Sequence, residues 1–135
     1  MTGLPLTAVM YHYVRPVSRS RYPRINGLEV AAFKEQLAYL DRHYTVVTME
    51  GVIAAIRGQE SLPPNAALLT FDDGYRDHYD FVLPLLIDKG LQGSFFVPAD
   101  PVVSRRVLDV NKLHLILAVS PETGKIVDAI EGRIE

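Results

Sequence analysis

Hydrophobic and polar positions along this chain alternate between strand-like runs and helical spacing. Leu6 to Val14 is a short apolar and β-branched stretch closed by Arg15-Pro16, which reads as a first strand with a loop after it. Pro16 to Gly27, with three Arg, two Ser and two Pro, reads as a polar loop. Asn26 precedes Glu29 by three residues in the manner of a capping box. Leu28, Phe33, Leu37 and Leu40 then fall at helical spacing and predict an amphipathic helix to about His43. Tyr44 to Val47 is a short strand candidate, and Thr48 can cap a helix through Ile56 that Gly58 stops. After the breaker-rich Ser61-Leu-Pro-Pro-Asn65, the run Ala66 to Phe71 has the pattern of a strand buried on both faces. A helix over His78 to Lys89 should end at Gly90, with Pro84 marking a kink or a first-turn position. Gln92 to Val97 reads as another buried strand. Val107 to Val119 predicts a helix that is apolar on more than one side. Ser120-Pro121 predicts the start of a second, with Ser as N-cap and Pro at the first helical position.

The order is thus β-α-β-α-β-α-β followed by helices, without an internal repeat or low-complexity tract. It predicts an α/β fold: a parallel sheet of about four strands with flanking helices. In such folds chemistry gathers beyond the carboxyl ends of the strands. The residues that follow Met10, Val47, Phe71 and Val97 are therefore the ones to interrogate.

Composition narrows the functions open to this fold. The 135 residues are 48% hydrophobic, enough for one modest core and too apolar for a disordered chain. A formal net charge of -2 leaves no basic footprint for nucleic acid. The absence of Cys removes disulfide scaffolds, thiolate nucleophiles and Cys-based zinc sites, without selecting a redox compartment. Met1 to Leu6 lacks the cationic start and apolar stretch of a signal peptide, so the expected location is cytoplasmic as the sequence is written. The longest apolar run, Leu115 to Val119, is far short of the ~20 residues of a spanning helix.

Thr70-Phe-Asp-Asp-Gly74 lies at the mouth of the third strand. Two adjacent carboxylates repel, so holding both ionised calls for a cation or strong donors nearby. A divalent metal with one Asp as a hard oxygen ligand is an economical solution, the other Asp then serving as base toward a bound water. Gly74 permits a sharp turn close to the ligand. The plainer reading is a strand-to-helix turn with Asp as N-cap.

Leu69-Thr-Phe-Asp-Asp-Gly-Tyr-Arg-Asp77 resembles the first signature of the polysaccharide deacetylase family, the NodB-homology carbohydrate esterases. Val9 to Val14 is similar to that family's opening strand. Phe33 to Leu40 with Tyr44 to Thr48 is similar to its first helix and second strand. Pro84-Leu-Leu, Lys89-Gly90 and Gly93 to Val97 match the stretch after the acidic motif. Asp100 to His114 is similar to an insertion in members linked to surface-polysaccharide synthesis. The resemblance covers residues 6 to 98 in order. It implies a single partial domain over 1–135, with a βα core at 6–98 and a helical extension or insertion at 99–135. It also implies part of a distorted (β/α) barrel that removes N-acetyl groups from a glycan.

By the same resemblance Asp72 is the catalytic base and Asp73 a ligand of a divalent metal, zinc first, cobalt or nickel otherwise. His12, Tyr75 and Arg76 stand near this motif as substrate-binding candidates. Structural roles compete for two of them: a hydrogen-bonded His12, and Arg76 with His78 solvating or capping a helix start. At least one of Tyr11 and Tyr13 should be core, His114 should be structural, and the Arg15, Arg19, Arg21, Arg24 group should be a solvated loop. The family completes its metal site with a downstream His-Ser/Thr-x-x-His motif. This chain has only His12, His43, His78 and His114, no two of them four apart.

The expected function is accordingly the N-terminal part of a deacetylase, inactive alone, with a carbohydrate substrate and an exposed sheet edge available for self-association. The alternative is a non-catalytic carbohydrate- or partner-binding module on a degenerate deacetylase fold. A receiver-type phospho-acceptor would need acidic residues after the first strand, where Tyr11-His12-Tyr13 stands.

Overall fold

The computed structural model describes residues 5–133. Residues 1–4 and 134–135, including most of the segment read for a targeting signal, lie outside the described residues.

The strand order rests on β3, Ala66–Asp72, whose first four residues and Phe71 are buried. β1, Leu6–Tyr11, pairs with it in parallel from Leu6↔Ala66 to Tyr11↔Phe71. β2, Thr45–Val47, pairs in parallel with Ala66 to Leu68, and β4, Ser94–Phe96, with Thr70 to Asp72. A strand has two hydrogen-bonding edges, so β2 and β4 share the edge opposite β1, one at its start and one at its end. The sheet is parallel and four-stranded, as the alternating pattern predicts.

α1, Val30–His43, and α3, Leu83–Lys89, cover this sheet with Phe33, Leu37, Leu40 and Leu86. Phe71 is the centre of the core. It stacks on Tyr11 at 5.2 Å and on Phe95 at 4.9 Å, with the Phe33 ring edge-on at 6.0 Å. α2, Met49–Ile56, begins as expected: the Thr48 hydroxyl accepts from the Gly51 amide at 3.1 Å. α4, Ala99–Ser104, α5, Asp109–Val119, and α6, Thr123–Glu131, follow.

Several local expectations give way to tertiary contacts. Glu29 is itself the residue before α1, and its carboxylate accepts from the Ser18 amide at 2.7 Å, so Asn26 and Glu29 form no capping box. Leu28 stands outside that helix and bridges Val14 in parallel. The loop after β1 is not simply polar, because Val17 and Ile25 are buried in it beside Tyr13 and Ala118. Pro84 sits in the first turn of α3, directly after a π-helical turn at His78–Val82. β4 is shorter than Gln92 to Val97 and is not buried: Phe95 is 40% and Phe96 49% exposed. Ser120 terminates α5 and Glu122 precedes α6, so the Ser-Pro start of a helix does not form. For Glu29 and Leu28 the reason is a partner elsewhere in the fold, the Ser18 amide for one and the Val14 backbone for the other.

Candidate functional site

The acidic motif forms where β3 ends. Asp72 is the last residue of the strand, in register with Phe96 of β4, and is partly exposed. Asp73 and Gly74 both adopt left-handed backbone, with φ of 73° and 61°. Asp tolerates this region better than most side-chain-bearing residues. At Gly74 space is also decisive, because a Cβ there would lie 2.8 Å from Val97 Cγ1.

This turn brings Tyr75 back over Asp73. Its hydroxyl donates to Asp73 Oδ2 at 2.5 Å, and its ring stacks on Tyr13 with centroids 4.2 Å apart. Burial, and after it the hydrogen bond to Asp73, push the Tyr75 phenol well above the usual tyrosine value. The phenol is thereby kept a donor. Asn111 of α5 donates through Nδ2 to Tyr75 Oη at 2.6 Å and to Tyr13 Oη at 3.3 Å. Arg15 pairs with Asp77 and lies 4.8 Å from the Tyr13 ring centroid. A cavity of about 360 Å³ opens over these groups, lined by Asp73, Tyr75, Tyr13, Arg15 and Asn111, with Arg106 at its margin.

The sequence candidates therefore divide. Asp72, Asp73 and Tyr75 lie together at the carboxyl end of β3. His12 follows β1 at the same end of the sheet with its side chain exposed, while its carbonyl accepts from His78 Nε2 at 2.7 Å. Arg76 turns to solvent and pairs with Asp80 at 3.0 Å, its side chain 87% exposed. His78 does not solvate a helix start, being only 4% exposed, with Nδ1 unpartnered among the described residues. Tyr11 and Tyr13 are both buried. Arg15 departs from the solvated loop by pairing with Asp77, while Arg19, Arg21 and Arg24 are exposed as expected, Arg24 also donating to the Ala118 carbonyl at 3.1 Å. Asn111 escaped the sequence reading. Its one legible signal is a polar position three residues before His114 in an apolar helix.

Among the described residues, no group of three or more His, Cys, Asp or Glu side chains could hold a metal ion. His78 and His114 are engaged with the His12 carbonyl and the Tyr13 hydroxyl, and Oδ2 of Asp73 accepts from the Tyr75 hydroxyl. The donors present do not fit the divalent metal that the family resemblance implies.

Comparison with known proteins gives an independent view of this arrangement. No family model matches the chain. It is 35% identical over 80 residues to the poly-beta-1,6-N-acetyl-D-glucosamine N-deacetylase of Escherichia coli K12, a stretch that is 58% of this chain and 12% of that protein. The IcaB structure from Ammonifex degensii superposes with a TM-score of 0.60 at 32% identity, over 70% of this chain and 39% of that one. The resemblance to the polysaccharide deacetylases holds. A de-N-acetylase from Aggregatibacter actinomycetemcomitans superposes with a TM-score of 0.57 at 26% identity, over 67% of this chain and 36% of that one. The chain thus has a deacetylase-like α/β fold and spans well under half the length of each of these three relatives. Among the described residues, no helix is long and apolar enough to cross a membrane.

Proposed function

We propose that this chain carries the acidic part of a site that removes N-acetyl groups from a polysaccharide, and that it is inactive alone. One observation carries the reading. The Asp72-Asp73 pair sits at the carboxyl end of the central parallel strand, with Asp73 lining an open cavity, in a chain similar to polysaccharide de-N-acetylases. Asp72, free of hydrogen-bond partners among the described side chains, is suited to take a proton from an attacking water as the base. Asp73, held by Tyr75, is suited to orient a ligand. Any divalent metal would need donors from outside the described residues, and no step is assigned to it. His12, exposed at the same end of the sheet, would face the glycan.

Acetate release from N-acetylated glucosamine oligomers, with zinc or cobalt added, tests this. Negligible release is expected from the 135-residue chain. Robust turnover that is lost in Asp72→Asn would contradict the incomplete site while keeping the assignment of the base.

That the described residues offer no three-donor cluster favours a second reading, a carbohydrate- or partner-binding module without catalysis. It predicts glycan binding that is indifferent to Asp72→Asn.

A further inference from the structure

Two polar side chains of α5, Asn111 and His114, lie one turn apart in a helix whose other central residues are largely apolar. Both face the tyrosines that wall the acidic turn. His114 Nδ1 lies 3.3 Å from Tyr13 Oη, and Asn111 Nδ2 lies 3.3 Å from the same hydroxyl and 2.6 Å from Tyr75 Oη. Tyr75 in turn reaches Asp73 Oδ2 at 2.5 Å. An ionised Asp73 only accepts, so the Tyr75 hydroxyl donates to it. The Asn111 amide has two protons and gives one to each tyrosine. Tyr75, having accepted from Asn111, gives its own proton to Asp73, and the Tyr13 hydroxyl shares a hydrogen bond with His114 Nδ1.

We infer that Asn111 is a positioning residue, whose side-chain amide anchors the Tyr75 hydroxyl that orients Asp73. The helical segment after the βα core is then part of the site rather than an appendage to it. Asn111 does this without touching Asp73. The ring stack of Tyr13 on Tyr75 fixes where the two rings stand, and the amide holds the Tyr75 oxygen by donating to it. The consequence for catalysis rests on the proposed reading of Asp73; the hydrogen-bond chain itself does not.

Asn111→Asp separates shape from donation. The new carboxylate is almost the same size but only accepts, so it would compete with Asp73 for the single Tyr75 proton. Asn111→Ala removes the partner altogether. NMR of the whole chain with ring-labelled tyrosine reads the outcome. In the wild type, the Tyr75 hydroxyl proton should be protected from exchange and show a through-bond coupling to the Asp73 carboxyl carbon. Asn111→Asp should abolish that coupling, with the backbone amides of β1, β2 and α1 unmoved. Asn111→Ala should leave the coupling but speed hydroxyl exchange. An unchanged coupling in a folded Asn111→Asp protein would overturn the inference, as would a rapidly exchanging Tyr75 hydroxyl in the wild type. The wild-type spectrum keeps the test decisive if a variant fails to fold. None of these readouts depends on deacetylation, so failure here is distinguishable from failure of the proposed function.

Discussion

Arg15 and Asp77 tie the loop after β1 to the turn after β3: Arg15 Nε donates to Asp77 Oδ2 at 2.5 Å across 62 positions of sequence. Both side chains are mostly buried, at 19% and 15% exposure, and the guanidinium also lies against the Tyr13 ring. A pair in this setting differs from a surface ion pair, because removing one partner leaves the other charge half-desolvated. Arg15→Ala should destabilise by about 1–3 kcal/mol, an order of magnitude taken from broken hydrogen bonds to charged groups. Urea denaturation checks this, and a double-mutant cycle with Asp77→Ala should show positive coupling. Additive losses would mean that the pair contributes nothing beyond packing.

Gly93 is needed for space and not for conformation. A Cβ there would lie 2.6 Å from Phe71 Cε2 and 2.9 Å from Leu86 Cδ1, both fully buried side chains. Gly93→Ala should cost about 1–3 kcal/mol, the usual penalty for overpacking a core. Gly90→Ala meets nothing within 4 Å and carries only the strain of its φ of 62°. Thermal denaturation of the two variants should therefore rank Gly93→Ala as the more damaging. The reverse order would mean that the Phe71 cluster is loosely packed.

Much of this fold was legible because its signals are local. The β3 run could not be a solvent-facing strand, Thr48 did cap a helix, and Gly90 did end one. Deciding which local signals survive needs the third dimension. Glu29 was pulled from Asn26 by the Ser18 amide, and Val17 and Ile25 made a core out of a loop that composition marked as polar. β4 read as buried because Phe95, Phe96 and Val97 are apolar, yet at the end of β3 the Phe95 and Phe96 side chains are only partly covered. The Asp72-Asp73 pair was visible as a motif. The amide of Asn111 was not, since nothing in sequence spacing joins position 111 to position 75.

Tyr11, in register with Phe71 just before the acidic turn, supplies a pH test of the core. Its hydroxyl is buried without a partner among the described residues, and burial raises its pKa above the ordinary value. A raised folded pKa contributes stability that is full below the unfolded value of about 10 and is lost as pH rises through the folded value. Stability should therefore fall above about pH 10, and Tyr11→Phe should flatten that fall. At neutral pH Tyr11→Phe should be neutral or mildly stabilising, because it removes an unpaired buried hydroxyl. Denaturant titrations at pH 8 and pH 10.5 check both, and a clear loss at pH 8 would show that the hydroxyl has a partner.

The exposed side chains of β4 bear on association. Phe96 is 49% and Val97 59% exposed beside a strand with a free edge, a combination that invites pairing with another chain. Sedimentation velocity should show concentration-dependent association that Phe96→Lys reduces. A strictly monomeric wild type across the range would remove self-association from the account.

The central claim is that the acidic turn of β3 and the cavity beside it form the glycan-facing part of a deacetylase-like site. Chemical-shift mapping of the 135-residue chain with a β-1,6-linked N-acetylglucosamine oligomer tests it most directly. The account predicts saturable shifts centred on Asp72, Asp73, Tyr75 and Asn111, extending to His12 and sparing α2 and α6. Shifts confined to those remote helices, or none at millimolar oligomer, would contradict it.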